Sequence, residues 1–178
     1  SKLIKGKNIF VSGAGGSIGA ELCEQILSYE PSMLILFEIS EISLYTINSK
    51  LTSLNNLDIE LIPILGSATD QKLIEKIFKE KNVNMVFHAS AYKHVPLVEV
   101  NPLQGLINNV LSTKVLCEVS SNSSVEKFCL ISTDKAVRPT NIMGASKRLA
   151  ELIVQSYSYK QLERSKVKSN SYERTKFF

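Results

Sequence analysis

The chain has 178 residues, 44% of them apolar and 21% charged, with a formal net charge of +4 at pH 7. That length and composition suit one globular domain with a sizeable core and exclude a pair of independent ones. No apolar run approaches the roughly 18 residues needed to cross a bilayer, and residues 1–7 lack the apolar centre of a signal peptide, so neither a membrane span nor secretion by that route is expected.

Short β-rich apolar runs alternate with helical periodicity along the chain. Asn8–Ser12 reads as a buried strand, and Ile18, Leu22 and Ile26 then recur every four residues, which predicts a helix. Met33–Glu38 is a second strand, followed by a helix near 42–54; residues 59–65 form a third strand ahead of a helix near 70–79. Strands at 84–91 and 127–133 flank a helix near 102–120, and a last helix starts near Asn141. Strand and helix in strict alternation predict a Rossmann-type α/β fold, a doubly wound parallel sheet covered on both faces. Residues 1–158 are assigned to this domain.

The positive charge is confined to the rest. Residues 159–178 hold six Lys and Arg against two Glu, whereas the first 158 residues are neutral. This stretch reads as a solvated, disordered tail or the start of a further region. With a single aromatic, Tyr172, between its basic residues, it is not read as a nucleic-acid arm. Cys23, Cys117 and Cys129 are odd in number and set in apolar periodic segments, which suits reduced packing thiols in a cytoplasmic setting.

Gly13, Gly16 and Gly19 lie directly after the first strand and run into the first helix. The order has a physical reason: a turn glycine reaches backbone angles closed to other residues, a second lets phosphate approach the main chain, and a third packs helix on sheet. A pyrophosphate then sits on free amides at the helix N-terminus, near Ser17 and Ile18. Glu38 follows at the end of the second strand, where a carboxylate accepts hydrogen bonds from ribose hydroxyls. A carboxylate there repels a 2′-phosphate, so NAD is expected rather than NADP. Ser67 and Ala68, just after the third strand, are expected beside the adenine.

With the fifth strand ending in Ile-Ser-Thr, Thr133, Asp134 and Lys135 fall at the carboxyl edge of the sheet, where ligands of open α/β folds bind. Met143 and Lys147 are one helical turn apart. Together with Gly-Ala-Gly-Gly-Ser-Ile-Gly (13–19), the His88-to-Pro102 segment, Asn108-Asn109-Val110 and the Ser132-to-Glu151 segment, this pattern resembles the extended short-chain dehydrogenase/reductases. More narrowly, it resembles the bacterial polysaccharide-biosynthesis branch, the UDP-N-acetylglucosamine 4,6-dehydratases. The resemblance spans about residues 5–155. In that branch's membrane-anchored, non-inverting members, a methionine likewise replaces the usual active-site tyrosine.

The resemblance implies a reaction and a set of roles. NAD takes hydride from C4 of a UDP-sugar, water leaves across C5 and C6, and the hydride returns to C6. Asp134 would be the general acid and Lys135 the base, which requires a protonated aspartate and a neutral lysine made by burial and proton sharing. Thr133 would hydrogen-bond near the C4 oxygen, Met143 would occupy the tyrosine position and Lys147 would grip the nicotinamide ribose. Ala89, Ser90 and Ala91 would admit the cofactor, Lys93 would reach the substrate or its phosphates, and Asn109 would support the site. Losing the tyrosine removes assistance typically worth about 10² to 10⁴ in rate, and by sequence Asp134 is the nearest replacement. His88 and His94 lack partners at ligand spacing, so no metal is expected.

The resemblance further implies that most of the nucleotide-sugar pocket and a membrane-spanning region lie outside this chain. The full protein would then work at the inner face of the bacterial membrane, as a homo-oligomer, with an exposed sheet edge at the fifth strand as one route to self-association. A UDP-sugar 4-epimerase and a non-catalytic NAD-binding module are the rival readings.

Overall fold

A computed structural model describes residues 3–161 and 175–178 in full and the backbone of 162–167. Six parallel strands, β1 (Asn8–Ser12), β2 (Met33–Glu38), β3 (Glu60–Leu65), β4 (Met85–His88), β5 (Lys127–Leu130) and β6 (Lys176–Phe177), lie in the order β3-β2-β1-β4-β5-β6. This is the doubly wound order, and its reversal between β1 and β4 opens a crevice at the carboxyl ends of those strands.

Each strand is apolar almost throughout because both faces are covered. Along β1, Ile9 and Val11 point to a core formed with Cys23, Ile26, Leu44 and Ile47 from α1 (Ser17–Leu27) and α2 (Glu41–Leu54). Phe10, between them, points to the opposite core with Ile74 and Phe78 of α3 (Gln71–Lys81) and Leu116 from further along the chain. The period of two along a strand thus feeds two separate cores. Pro63 sits in β3, at the sheet edge, where its missing N–H can face away from the ladder.

Helix starts follow side-chain caps. Ser40 accepts from the Ser43 amide, and Asp70 from the Leu73 amide at 3.1 Å. The expected helix at 102–120 is three pieces: α5 (Pro102–Leu106), a π-type turn (Ile107–Leu111) and α6 (Ser112–Ser121). The widened turn carries Asn109 inward, where it is buried. A short α4 (Val95–Val100) precedes these and was not expected.

The strand expected at 84–91 ends at His88, because the Tyr92 backbone turns away to bond Asn109. The strand expected at 127–133 ends at Leu130, and Asp134–Ala136 winds into a 3-10 turn instead. α7 (Ile142–Val167) runs through the boundary expected at residue 158, and residues 168–174 of the expected tail lie outside the described residues. β6 covers the β5 edge that was expected to be open: Phe177 packs on Phe128 with ring centroids 5.5 Å apart, and Thr175 Oγ1 donates to Ser120 O at 2.9 Å. Among the described residues no helix is long and apolar enough to cross a membrane. The three cysteines are free, and burial pushes the Cys23 thiol up to about 12.

Candidate active site

The crevice holds a cleft of about 300 Å³. One wall is the glycine turn and the start of α1, with Gly16, Ser17, Ile18 and Gly19; the floor is Ala89, Ala91 and Lys93 after β4. The other wall is Thr133, Lys135, Met143 and Lys147, from the 3-10 turn and α7. A second recess, toward β2 and β3, is lined by Gly13, Glu38, Ser67, Ala68 and Ser90. The expected cofactor positions therefore fall along one continuous edge of the sheet, except Asn109, which lies behind it.

The turn's tightness is measurable. Gly13 has φ +70°, and a Cβ there would stand 2.6 Å from the Ser90 amide nitrogen. A Cβ on Gly19 would stand 1.9 Å from Gly13 O, so β1's exit and α1 meet only at glycine. Gly16 is freer, with its nearest neighbour at 3.3 Å, whereas Gly15, not singled out by spacing, would clash with Ser43 at 2.5 Å. No side chain caps the α1 N-terminus, which leaves its first-turn amides facing the cleft.

Glu38 is buried and does more than wait for a ribose. Oε1 accepts from the Ile39 and Ser40 amides at 2.9 and 3.1 Å, and Oε2 accepts from the Gly15 amide at 3.0 Å. The carboxylate thus ties β2 to the glycine turn, and Oε2 keeps one acceptor position for a further donor.

Lys93, Lys135 and Lys147 line the cleft and, among the described residues, no acidic side chain does, an arrangement suited to phosphate-bearing ligands. Lys93 Nζ reaches across toward Ser17 Oγ at 3.5 Å. The surroundings of Asp134 favour its charged carboxylate rather than the protonated one expected. Asp134 is outside the cleft lining with its side chain 89% exposed, and Thr133 Oγ1, which donates to Asp134 Oδ1 at 2.9 Å, together with Lys135 holds its carboxyl below the usual range. Lys135 Nζ lies 3.8 Å from that carboxylate, with its side chain 53% exposed. The buried lysine is Lys147, 6% exposed, whose Nζ donates to Ile131 O at 2.7 Å. Burial, opposed by Glu151, brings its pKa down to about 8.

Met143 is buried beside it. The start of α7 is fixed three ways: Asn141 Oδ1 accepts from the Gly144 amide at 2.7 Å, Glu99 Oε1 of α4 accepts from the Ile142 amide at 2.6 Å, and Gly144 packs against the Lys135 carbonyl. Asn109 accepts from Tyr92 N at 2.7 Å and donates to Tyr92 O at 3.0 Å and Ser146 Oγ at 2.9 Å, joining the π-type turn, the β4 loop and α7. Spacing revealed neither Glu99 nor Ser146, because both act through contacts 37 to 43 residues apart.

His88 is fully buried. Its Nδ1 lies 2.7 Å from Ser12 Oγ and 3.2 Å from Ser90 Oγ, and its Nε2 lies 3.0 Å from Thr113 Oγ1. Burial, then Lys147, push its pKa down to about 3, so it is a neutral member of a polar core that links β1, β4 and α6. His94 is exposed at the start of α4. Among the described residues no group of three His, Cys, Asp or Glu could hold a metal ion.

Comparison with known proteins follows the same outline. The family described as polysaccharide biosynthesis protein matches residues 9–177. The capsular polysaccharide biosynthesis protein CapD of Staphylococcus aureus is 42% identical over 88% of this chain and 26% of its own length. An inverting UDP-N-acetylglucosamine 4,6-dehydratase of Campylobacter jejuni is 30% identical over 82% of the chain, and a UDP-glucose 4-epimerase of Rickettsia rickettsii is 33% identical over 82%, each match covering 42% of the relative. The crystal structure of Pen from Bacillus thuringiensis superposes with a TM-score of 0.83 at 25% identity, over 98% of this chain and 51% of that one. The chain thus spans between about a quarter and a half of the proteins it matches.

Proposed function

This chain belongs to the polysaccharide biosynthesis protein family, within the extended short-chain dehydrogenase/reductases, and from that premise we propose that it is the dinucleotide-binding part of an NAD-dependent UDP-N-acetylglucosamine 4,6-dehydratase. The observation that carries the reading is one cleft with uncapped α1 amides on one wall and Thr133, Lys135, Met143 and Lys147 on the other. A dinucleotide fits: the glycine turn admits a pyrophosphate, Lys93 and Ser17 bracket it, and Glu38 Oε2 has an acceptor position for a ribose hydroxyl. The Glu38 carboxylate favours NAD over its 2′-phosphorylated form.

When bound, NAD supplies reversible hydride storage. The protein must then manage protons. Thr133 Oγ1 hydrogen-bonds the C4 oxygen of the sugar, Lys135 takes the C5 proton made acidic by a C4 ketone, and Asp134 protonates the hydroxyl leaving C6. Both side chains are solvated without the sugar; a sugar lying over the 3-10 turn would desolvate the pair, which disfavours the charged carboxylate of Asp134. The cationic cleft suits a diphosphate-linked sugar. A homo-oligomer, anchored at the inner face of the membrane through a region outside this chain, completes the proposal.

A second reading, 4-epimerisation of a UDP-sugar, is favoured by the Rickettsia relative, whose coverage equals that of the dehydratase and whose identity, 33% against 30%, is slightly higher. One assay separates them. The intact gene product is incubated with UDP-N-acetylglucosamine in D₂O and the products are weighed. Loss of water with deuterium at C5 is expected. An isomer of unchanged mass establishes epimerisation instead, and no turnover leaves an NAD-binding module.

A further inference from the structure

Oxidising an alcohol to a ketone releases a proton with the hydride, and the Met143 thioether cannot accept it. Asp134, nearest along the chain, faces solvent outside the cleft. Of the three lysines that line the cleft, Lys93 and Lys135 are exposed and solvated, while Lys147 is buried one turn along α7 from Met143. Its Nζ makes one hydrogen bond, to Ile131 O at 2.7 Å, and is paired with no carboxylate among the described residues. Glu151, one turn further on, is held instead by Ser132 Oγ at 2.6 Å and Arg148 at 2.8 Å.

We propose that Lys147 is the base that accepts the C4 hydroxyl proton, the task a tyrosine would otherwise perform. The neutral Nζ lone pair forms an N–H bond as the O–H bond breaks. The O–H electron pair becomes the second C–O bond, the C4–H pair leaves as the hydride to NAD, and Lys147 ends as an ammonium. The inference rests on the reading that this site oxidises a sugar hydroxyl, a step shared by dehydration and epimerisation.

The surroundings favour the neutral amine. Burial is the cause, and His88 behind it is neutral; Lys93 and Lys135 line the same cleft, while the Glu151 carboxylate, itself held by Ser132 and Arg148, opposes the shift without cancelling it. With its pKa brought down to about 8, roughly a tenth of the chains carry the free amine at pH 7.

Two measurements test this. Carbon-13 NMR of lysine ε-carbons in this chain, with Lys147→Met to assign the signal, is expected to show one midpoint near pH 8; a Lys147 midpoint above pH 10 overturns the proposal. In the intact gene product, absorbance of reduced nicotinamide in a single turnover with UDP-N-acetylglucosamine is expected to appear faster as pH rises through 8. Lys147→Arg, which keeps the charge but cannot lose it, is expected to slow that phase by about 100-fold or more at saturating NAD and to remove its rise with pH through 8. Oxidation by Lys147→Arg within about tenfold of wild type overturns the proposal and leaves the function standing. A wild type that oxidises no UDP-sugar overturns both.

Discussion

The Lys135 carbonyl oxygen lies where a Gly144 side chain would begin: a Cβ built on Gly144 would stand 2.4 Å from it. The 3-10 turn therefore rests directly on the first turn of α7. Gly144→Ala is expected to cost about 1–3 kcal/mol by overpacking and to shift the 3-10 turn, displacing Lys135 from the cleft wall and Asp134 with it. Urea denaturation checks the first, and loss of dehydration with retained NAD affinity checks the second.

Gly19 and Gly16 should part company. Gly19→Ala meets Gly13 O at 1.9 Å and is expected to destabilise the fold by a few kcal/mol, whereas Gly16→Ala, whose Cβ would stand 3.3 Å from the same oxygen, a tight contact that a small shift relieves, should cost no more than about 1 kcal/mol. Gly16→Ala should still weaken NAD binding, because a methyl group there intrudes on the pyrophosphate. Paired melting curves and NAD titrations separate the two effects.

Glu38→Gln replaces an acceptor-only carboxylate that receives three backbone amides. Hydrogen bonds to a charged group are worth about 1.5–3 kcal/mol, so a loss of about 10- to 100-fold in NAD affinity is expected, measured by calorimetry. An unchanged affinity would remove Glu38 from the ribose site.

Acid should unfold this domain through His88. Its folded pKa, about 3, lies below the ordinary 6.5, so between those values the unfolded chain binds a proton that the folded one does not. Stability is expected to fall by up to several kcal/mol as pH drops from 6.5 toward 3. His88→Asn should start from lower stability at pH 7 but lose less on acidification, as thermal melts across that range would show.

Lys147 sets the opposite end. Its folded pKa, about 8, lies below the ordinary 10.5, so the unfolded chain holds the extra proton between them and stability rises with pH over that window. Lys147→Met is expected to be more stable than wild type at pH 7 by about 1–3 kcal/mol, with the gap closing by pH 10.5. Denaturant titrations at the two pH values measure it.

Much of this was legible along the chain. Strands buried on both faces are apolar throughout, and amphipathic helices repeat near 3.6, so β1 and β2 appear with the expected bounds and α2 and α3 within two residues at either end. The glycine turn was legible because steric exclusion at Gly13 and Gly19 is local. What escaped was non-local: α4, with its Glu99 reaching Ile142; the two-residue β6, held by Phe177 on Phe128; and the π-type turn that delivers Asn109 to Ser146.

Protonation shows the division most plainly. The amino-acid sequence by itself determined that a glycine-rich turn, an acid at the end of β2 and several lysines would meet at one sheet edge, because chain direction and strand order bring those segments there whatever their side chains do. Lys135 and Lys147 are chemically identical in the sequence, and only the tertiary structure decided that one stands in water and the other is buried at the start of α7. A lysine's basicity depends on the dielectric around a single nitrogen, and that is created by packing rather than by order along the chain.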